Sequence, residues 1–145
     1  MKIALGADEN LHLVGEIGRH LEERGHVVTR LGAAADVKEP WAQTAVHVAE
    51  GVACGDFDTG VVCCWTGTGV SMAANKVRGA RAALCGDAQT ARGARKWNDA
   101  NVLALSLRAT SPEIAREILD AWLAEPYGKT EDESLELIRA RDDVR

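Results

Sequence analysis

Cys64 stands directly before Trp65-Thr66-Gly67-Thr68-Gly69, and Val70 to Lys76 follows as a short helical segment. A glycine-rich turn between a strand and a helix leaves backbone amides pointing at whatever lies above the strand end, and such amides hold an anion. A thiol beside them has its thiolate favoured by the positive end of the helix. The pattern reads as an activated base or nucleophile next to an oxyanion site, with a buried structural thiol and an empty tight turn as the alternative. The turn lacks the third glycine of a dinucleotide fingerprint and the Gly-Lys-Ser/Thr of a phosphate-binding loop. Two further polar stretches complete the set: Gly6-Ala7-Asp8-Glu9-Asn10 and Trp97-Asn98-Asp99.

The elements that must position these residues alternate short apolar runs with amphipathic segments, the pattern of a parallel sheet covered by helices. Strands are expected at Lys2–Gly6, His26–Leu31, Thr59–Cys64, Ala80–Cys85 and Asn101–Leu105. Helices are expected from Leu11 to Arg24, from Trp41 through Val52, from Gln89 to Lys96, and from Ser111-Pro112 onward with Ile114, Ile118 and Trp122 as the apolar face. The result is one domain over residues 1–145, an α/β Rossmann-like three-layer sandwich with a five-stranded parallel sheet. Alternation along the third strand sends Cys63 and Cys64 to opposite faces and makes Cys63 the structural one. The charged stretch Lys129–Arg145, anchored by Leu135 and Ile138, is read as a solvated tail or a helix that docks on a second subunit.

Composition narrows the partners. The chain has 145 residues, with 17 Lys+Arg against 22 Asp+Glu for a net charge of −5, which argues against nucleic acid and anionic membrane surfaces. No apolar run approaches the roughly 20 residues of a membrane span, and no secretory signal pattern opens the chain, so a cytoplasmic location is expected. Cys54, Cys63, Cys64 and Cys85 show no metal-ligand or disulfide spacing, and His12, His20, His26 and His47 supply no ligand pattern.

The block from Cys64 to Lys76, then Arg81-Ala82-Ala83-Leu84-Cys85 and Asn98-Asp99-Ala100-Asn101-Val102-Leu103-Ala104, closely resembles the type B ribose-5-phosphate isomerases and the galactose-6-phosphate isomerase subunits. The resemblance runs from Gly6-Ala7-Asp8 through Asp120-Ala121-Trp122. It implies a homodimer or dimer of dimers that interconverts an aldose phosphate and its ketose through a cis-enediolate, without metal or organic cofactor. By the same resemblance Cys64 is the base, Thr66 and Asp8 join it as catalytic residues, and Trp65, Gly67, Thr68 and Gly69 form the anion-holding turn. Asp8 and Asn98 then contact substrate hydroxyls, and Arg108 lies near the phosphate.

Other positions depart from the family pattern. Asp8-Glu9 stands for the usual Asp-His, Pro40-Trp41-Ala42 for Asp-Tyr-Pro, and Trp97 for the histidine credited with ring opening. Two phosphate-clamping arginines fall near Thr130 and Ser134, among Glu131, Asp132 and Glu133. Glu9, Trp41 and Trp97 are therefore read as altered substrate contacts, with the indoles of Trp41, Trp65 and Trp97 lining the pocket and Trp122 filling the core. Arg92 and Arg95 are read as solvated helix arginines, with a replacement anion clamp as the alternative. The expected substrate is a small sugar, phosphorylated or free, with specificity moved away from ribose 5-phosphate; the alternative function is a non-catalytic sugar or small-anion binding protein on the same fold.

Overall fold

The computed structural model describes residues 1–143. Strand β1 (Lys2–Ala7) enters the interior at once, with every residue from Ile3 to Ala7 buried. Helix α1 (His12–Glu23) buries Leu13, Val14, Ile17 and Leu21 and stops at Gly25, whose φ of 82° lets the chain turn back into β2 (Val27–Gly32). A single 3₁₀ turn, Ala33–Ala35, leads to α2 (Trp41–Ala53), entered through Pro40. Next come β3 (Thr59–Cys64), buried along its whole length, α3 (Thr68–Ala74) and β4 (Ala82–Leu84). Helix α4 (Ala88–Asn98) is capped by Asp87, whose carboxylate accepts from the Thr90 amide at 2.7 Å. Strand β5 (Val102–Ser106) and helices α5 (Pro112–Ala124) and α6 (Asp132–Asp142) complete the described chain.

All strand pairs are parallel, in the order β2-β1-β3-β5-β4. The connection reverses direction between β1 and β3, the switch point at which open α/β sheets bind ligands. Two apolar layers sandwich the sheet. One joins Ile3, Leu5 and Cys63 to α1, α4 and α5; the other joins Ala4, Val62 and Cys64 to α2 and α3. Trp122, the largest fully buried side chain, has its indole N–H satisfied by Thr59 Oγ1 at 3.0 Å, as a buried indole requires.

Element ends shift by one or two residues from the sequence reading, and three departures have a plain local reason. His26 stays outside β2 because its amide closes α1 on the Leu21 carbonyl. Ala80 and Arg81 stay outside β4: the Ala80 amide closes a turn on Val77, and the Arg81 amide donates to the Asn101 side chain. Ile114 is 38% exposed rather than part of the buried stripe, which runs through Ala115, Ile118, Leu119 and Trp122 at helical spacing. In the charged C-terminal stretch, α6 buries Leu135 against its own chain and leaves Ile138 exposed; residues 144 and 145 lie outside the described range. Among the described residues no helix is long and apolar enough to cross a membrane.

Candidate active site

At the carboxyl end of β3, Cys64 is 6% exposed. Its carbonyl accepts from the Leu107 amide at 3.0 Å, and the Trp65 carbonyl accepts from the Arg108 amide at 3.1 Å and from Ser106 Oγ at 3.0 Å. The chain leaving β5 thus fixes the backbone on which the thiol sits and sets Arg108 beside Trp65. Gly67 is required here, because its φ is 76° and a Cβ would stand 2.5 Å from Leu84 Cδ1 and 2.9 Å from the Leu105 carbonyl carbon. The left-handed residue turns the chain into α3, whose first amides have no partner within the helix. Thr66 and Thr68 join hydroxyls at 2.8 Å across the turn. The Trp41 ring lies over Gly69, where a Cβ would come within 3.0 Å of it.

Asp8 is anchored next door: its amide donates to the Cys63 carbonyl at 3.2 Å, as expected of neighbouring strands whose ends pair Ala7 with Cys63. Burial, and then the charge of Glu9, push its carboxyl above the usual carboxylate range, while the amides of Asp8, Glu9 and Trp65 pull the other way. Its Oδ1 is buried and unpartnered among the described residues. Asp8, Glu9, Asp36 and Glu39, with Lys38 as the cation among them, line a hollow of about 430 Å³. Such a wall accepts hydrogen bonds from hydroxyls and repels a phosphate.

The other cysteines divide by environment. Burial raises the Cys63 thiol far out of the physiological range, and burial followed by the Asp87 charge pushes Cys85 up to about 11. Cys54 is exposed and donates to the Gly51 carbonyl. Arg95, read from the sequence as a helix-surface arginine, instead points inward, donating to the Ala100 carbonyl and stacking 5.4 Å over the Trp122 ring. It is held by the interior and is no anion clamp. Arg92 is exposed. Among the described residues no cluster of three or more metal-ligating side chains forms.

Asp8, Glu9, Trp41, the segment Cys64 to Gly69 and Arg108 therefore gather at one end of the sheet. Trp97 and Asn98 do not join them. Helix α4 runs back against the strand direction, so its last residues sit at the amino ends of β4 and β5, removed from Cys64 by about 16 Å of strand. They close the far end of a groove of about 620 Å³ that follows α4 and the edge strand β4 from Asp87 down to Asn98. Leu84, in contact with Gly67, connects the upper end of that groove to the turn. Trp41, Trp65 and Trp97 are 44%, 54% and 50% exposed. The sequence signal for Trp97 and Asn98 lay next to a strand, yet on its amino side, and direction along the strand is what separates them from the thiol.

Residues 3–138 match the Ribose/Galactose Isomerase family model. The chain is 40% identical over 146 residues to ribose-5-phosphate isomerase B of Escherichia coli (strain K12), covering 99% of this chain and 98% of that one. It is 38% identical over 125 residues to D-erythrulose-4-phosphate isomerase of Pectobacterium atrosepticum, covering 85% and 82%. Among solved structures, ribose-5-phosphate isomerase B of Clostridium thermocellum superposes with a TM-score of 0.93 at 36% identity, covering 99% of both chains.

Proposed function

The chain belongs to the ribose/galactose isomerase family and is an aldose–ketose isomerase of sugar phosphates, and from that premise we propose that Cys64 is the base of an enediolate mechanism. The thiolate takes the proton from the carbon next to the substrate carbonyl. Electrons move onto the carbonyl oxygen, and the unpaired amides after Gly67 hold the resulting charge. The thiol then returns the proton to the neighbouring carbon while the proton of the other enediolate oxygen passes to the oxygen that took the charge, so the carbonyl forms one carbon along and aldose becomes ketose. Asp8, with its raised affinity for a proton and its unpartnered oxygen, serves the paired oxygens of the enediolate, and Thr66, joined to Thr68 across the turn, completes the catalytic set. The observation that carries this reading is the placement of a single shielded thiol at the end of β3, on the sheet face opposite Cys63 and immediately before the turn.

Sugar hydroxyls face the acidic hollow at Asp8 and Glu9, which leaves Arg108, exposed beside Trp65, for the phosphate. With carboxylates where a phosphate would need cations, specificity has moved away from ribose 5-phosphate. Because Trp97 and Asn98 cannot reach Cys64 within one chain, the working unit is a homodimer in which each copy lends its 97–98 corner to the other's thiol. Trp41, Trp65 and Trp97, half in water in one chain, then close around the sugar.

Deuterium exchange from heavy water into ribulose 5-phosphate and D-erythrulose 4-phosphate tests the assignment. Cys64→Ala is expected to abolish exchange, whereas Cys63→Ala keeps it within about tenfold, or ~1.4 kcal/mol of barrier. Exchange at the wild-type rate in Cys64→Ala would transfer the role of base to Asp8 or Glu9.

A further inference from the structure

The corner that carries Trp97 and Asn98 is gripped from below by a residue with no role so far. Asp99 ends α4 in the left-handed region, at φ 47°. Arg81 holds it at two points, donating from Nε to the Asp99 carbonyl at 2.6 Å and from Nη2 to its carboxylate at 2.9 Å. Both side chains are largely shielded, at 20% and 26% exposure, so water competes weakly for the pair. Arg81 is itself fixed: its amide donates to Asn101 Oδ1 at 2.7 Å, and Asn101 Nδ2 donates to the Gly79 carbonyl at 2.9 Å. From the other side, the Gly128 amide donates to the Lys96 carbonyl at 2.8 Å and Arg139 of α6 stands 3.6 Å from the Asp99 carboxylate. The amides of Asp99 and Ala100 close the helix on the Ala94 carbonyl, and an aspartate enters the left-handed region more readily than most residues, so the backbone turn is set by the helix end while Arg81 ties the Asp99 carbonyl and carboxylate in one direction.

We propose that Arg81 is a positioning residue for the isomerase reaction, acting through the Asp99 corner to set Asn98 in the direction in which it meets the substrate. The proposal rests on the reading of Asn98 as a substrate contact. Arg81 makes no contact with substrate itself. Its fork geometry matters, because a lysine would offer one point charge where the corner uses two directed donors.

The test is a double-mutant cycle on steady-state isomerisation of ribulose 5-phosphate and D-erythrulose 4-phosphate, read on whichever is turned over faster. Asn98→Ala is expected to lower kcat/KM by about tenfold, the value of one lost hydrogen bond to a polar ligand. Arg81→Ala should lower it by a similar factor, mainly through KM, and the double variant should be no worse than Asn98→Ala alone within about twofold. Arg81→Lys should recover only part of the loss. Should Arg81→Ala fail to fold, Asp99→Asn keeps a residue that tolerates the left-handed region while removing the charge, and the same cycle is run with it. Multiplying losses, or a fall in kcat with KM unchanged, would overturn the proposal, as would an Arg81→Ala enzyme with wild-type kcat/KM. An ineffective Asn98→Ala overturns it together with the assignment of Asn98, while leaving the Cys64 exchange result standing. Absence of isomerisation of either sugar phosphate by the unmodified protein would overturn both the proposal and the enzymatic reading.

Discussion

At the scale of single residues, the most informative groups are those whose chemistry their surroundings alter. The folded-state affinity of Asp8 for a proton is raised, so the folded chain binds that proton more tightly than the unfolded one. Its contribution to stability is thus complete below the ordinary carboxylate range, near pH 3.8, and is lost as pH rises through the folded value. Asp8→Asn, which removes the charge that burial and Glu9 disfavour, is accordingly expected to stabilise the fold modestly at pH 7 while lowering turnover. Urea denaturation at pH 7 and pH 4 checks this: the gain should shrink at the lower pH. The four thiols give a second test. With a thiol reagent at pH 8, Cys54 should react first and Cys64 next, with Cys63 and Cys85 reacting only on unfolding.

At the scale of elements, much of the architecture was legible because its signals are local. Gly25 past a helix and Ser111-Pro112 before one fix chain direction within a few residues, and the continuous apolar run of β3 announces a strand buried on both faces. What was not legible depends on contacts distant in sequence. Arg81 reads as a strand residue until Asn101 and Asp99 are brought beside it, and Arg95 reads as solvated until Trp122 lies beneath it. The thiol and its turn could be picked out because they are contiguous. Their separation from Asn98 was legible as well, since a residue just ahead of β5 sits at the amino end of that strand, but the resemblance to a known family drew the two into one site. The turn also yields a prediction of its own: Gly67→Ala must adopt a left-handed φ and crowd Leu84 and Leu105. Thermal melting should show a loss of about 2 kcal/mol, with activity falling further as the amides lose their aim.

For the whole molecule, the distribution of parts decides what one chain can accomplish alone. One end of the sheet carries the thiol, the turn and the acidic hollow, and the other carries the 97–98 corner with α6 packed behind it. Light scattering at micromolar concentration is expected to show a dimer, and dilution should lower specific activity as copies separate. A monomer with full activity would require the substrate to be handled without Asn98.

The four indoles are unequally housed. Trp122 is sealed and hydrogen-bonded to Thr59, while Trp41, Trp65 and Trp97 stand half in water around the places where sugar and second copy are expected. The protein therefore carries its own optical probe. Its emission should begin red-shifted for a folded protein, move to the blue and resist acrylamide quenching when those surfaces are covered, and leave Trp122 as the constant background against which both events are read.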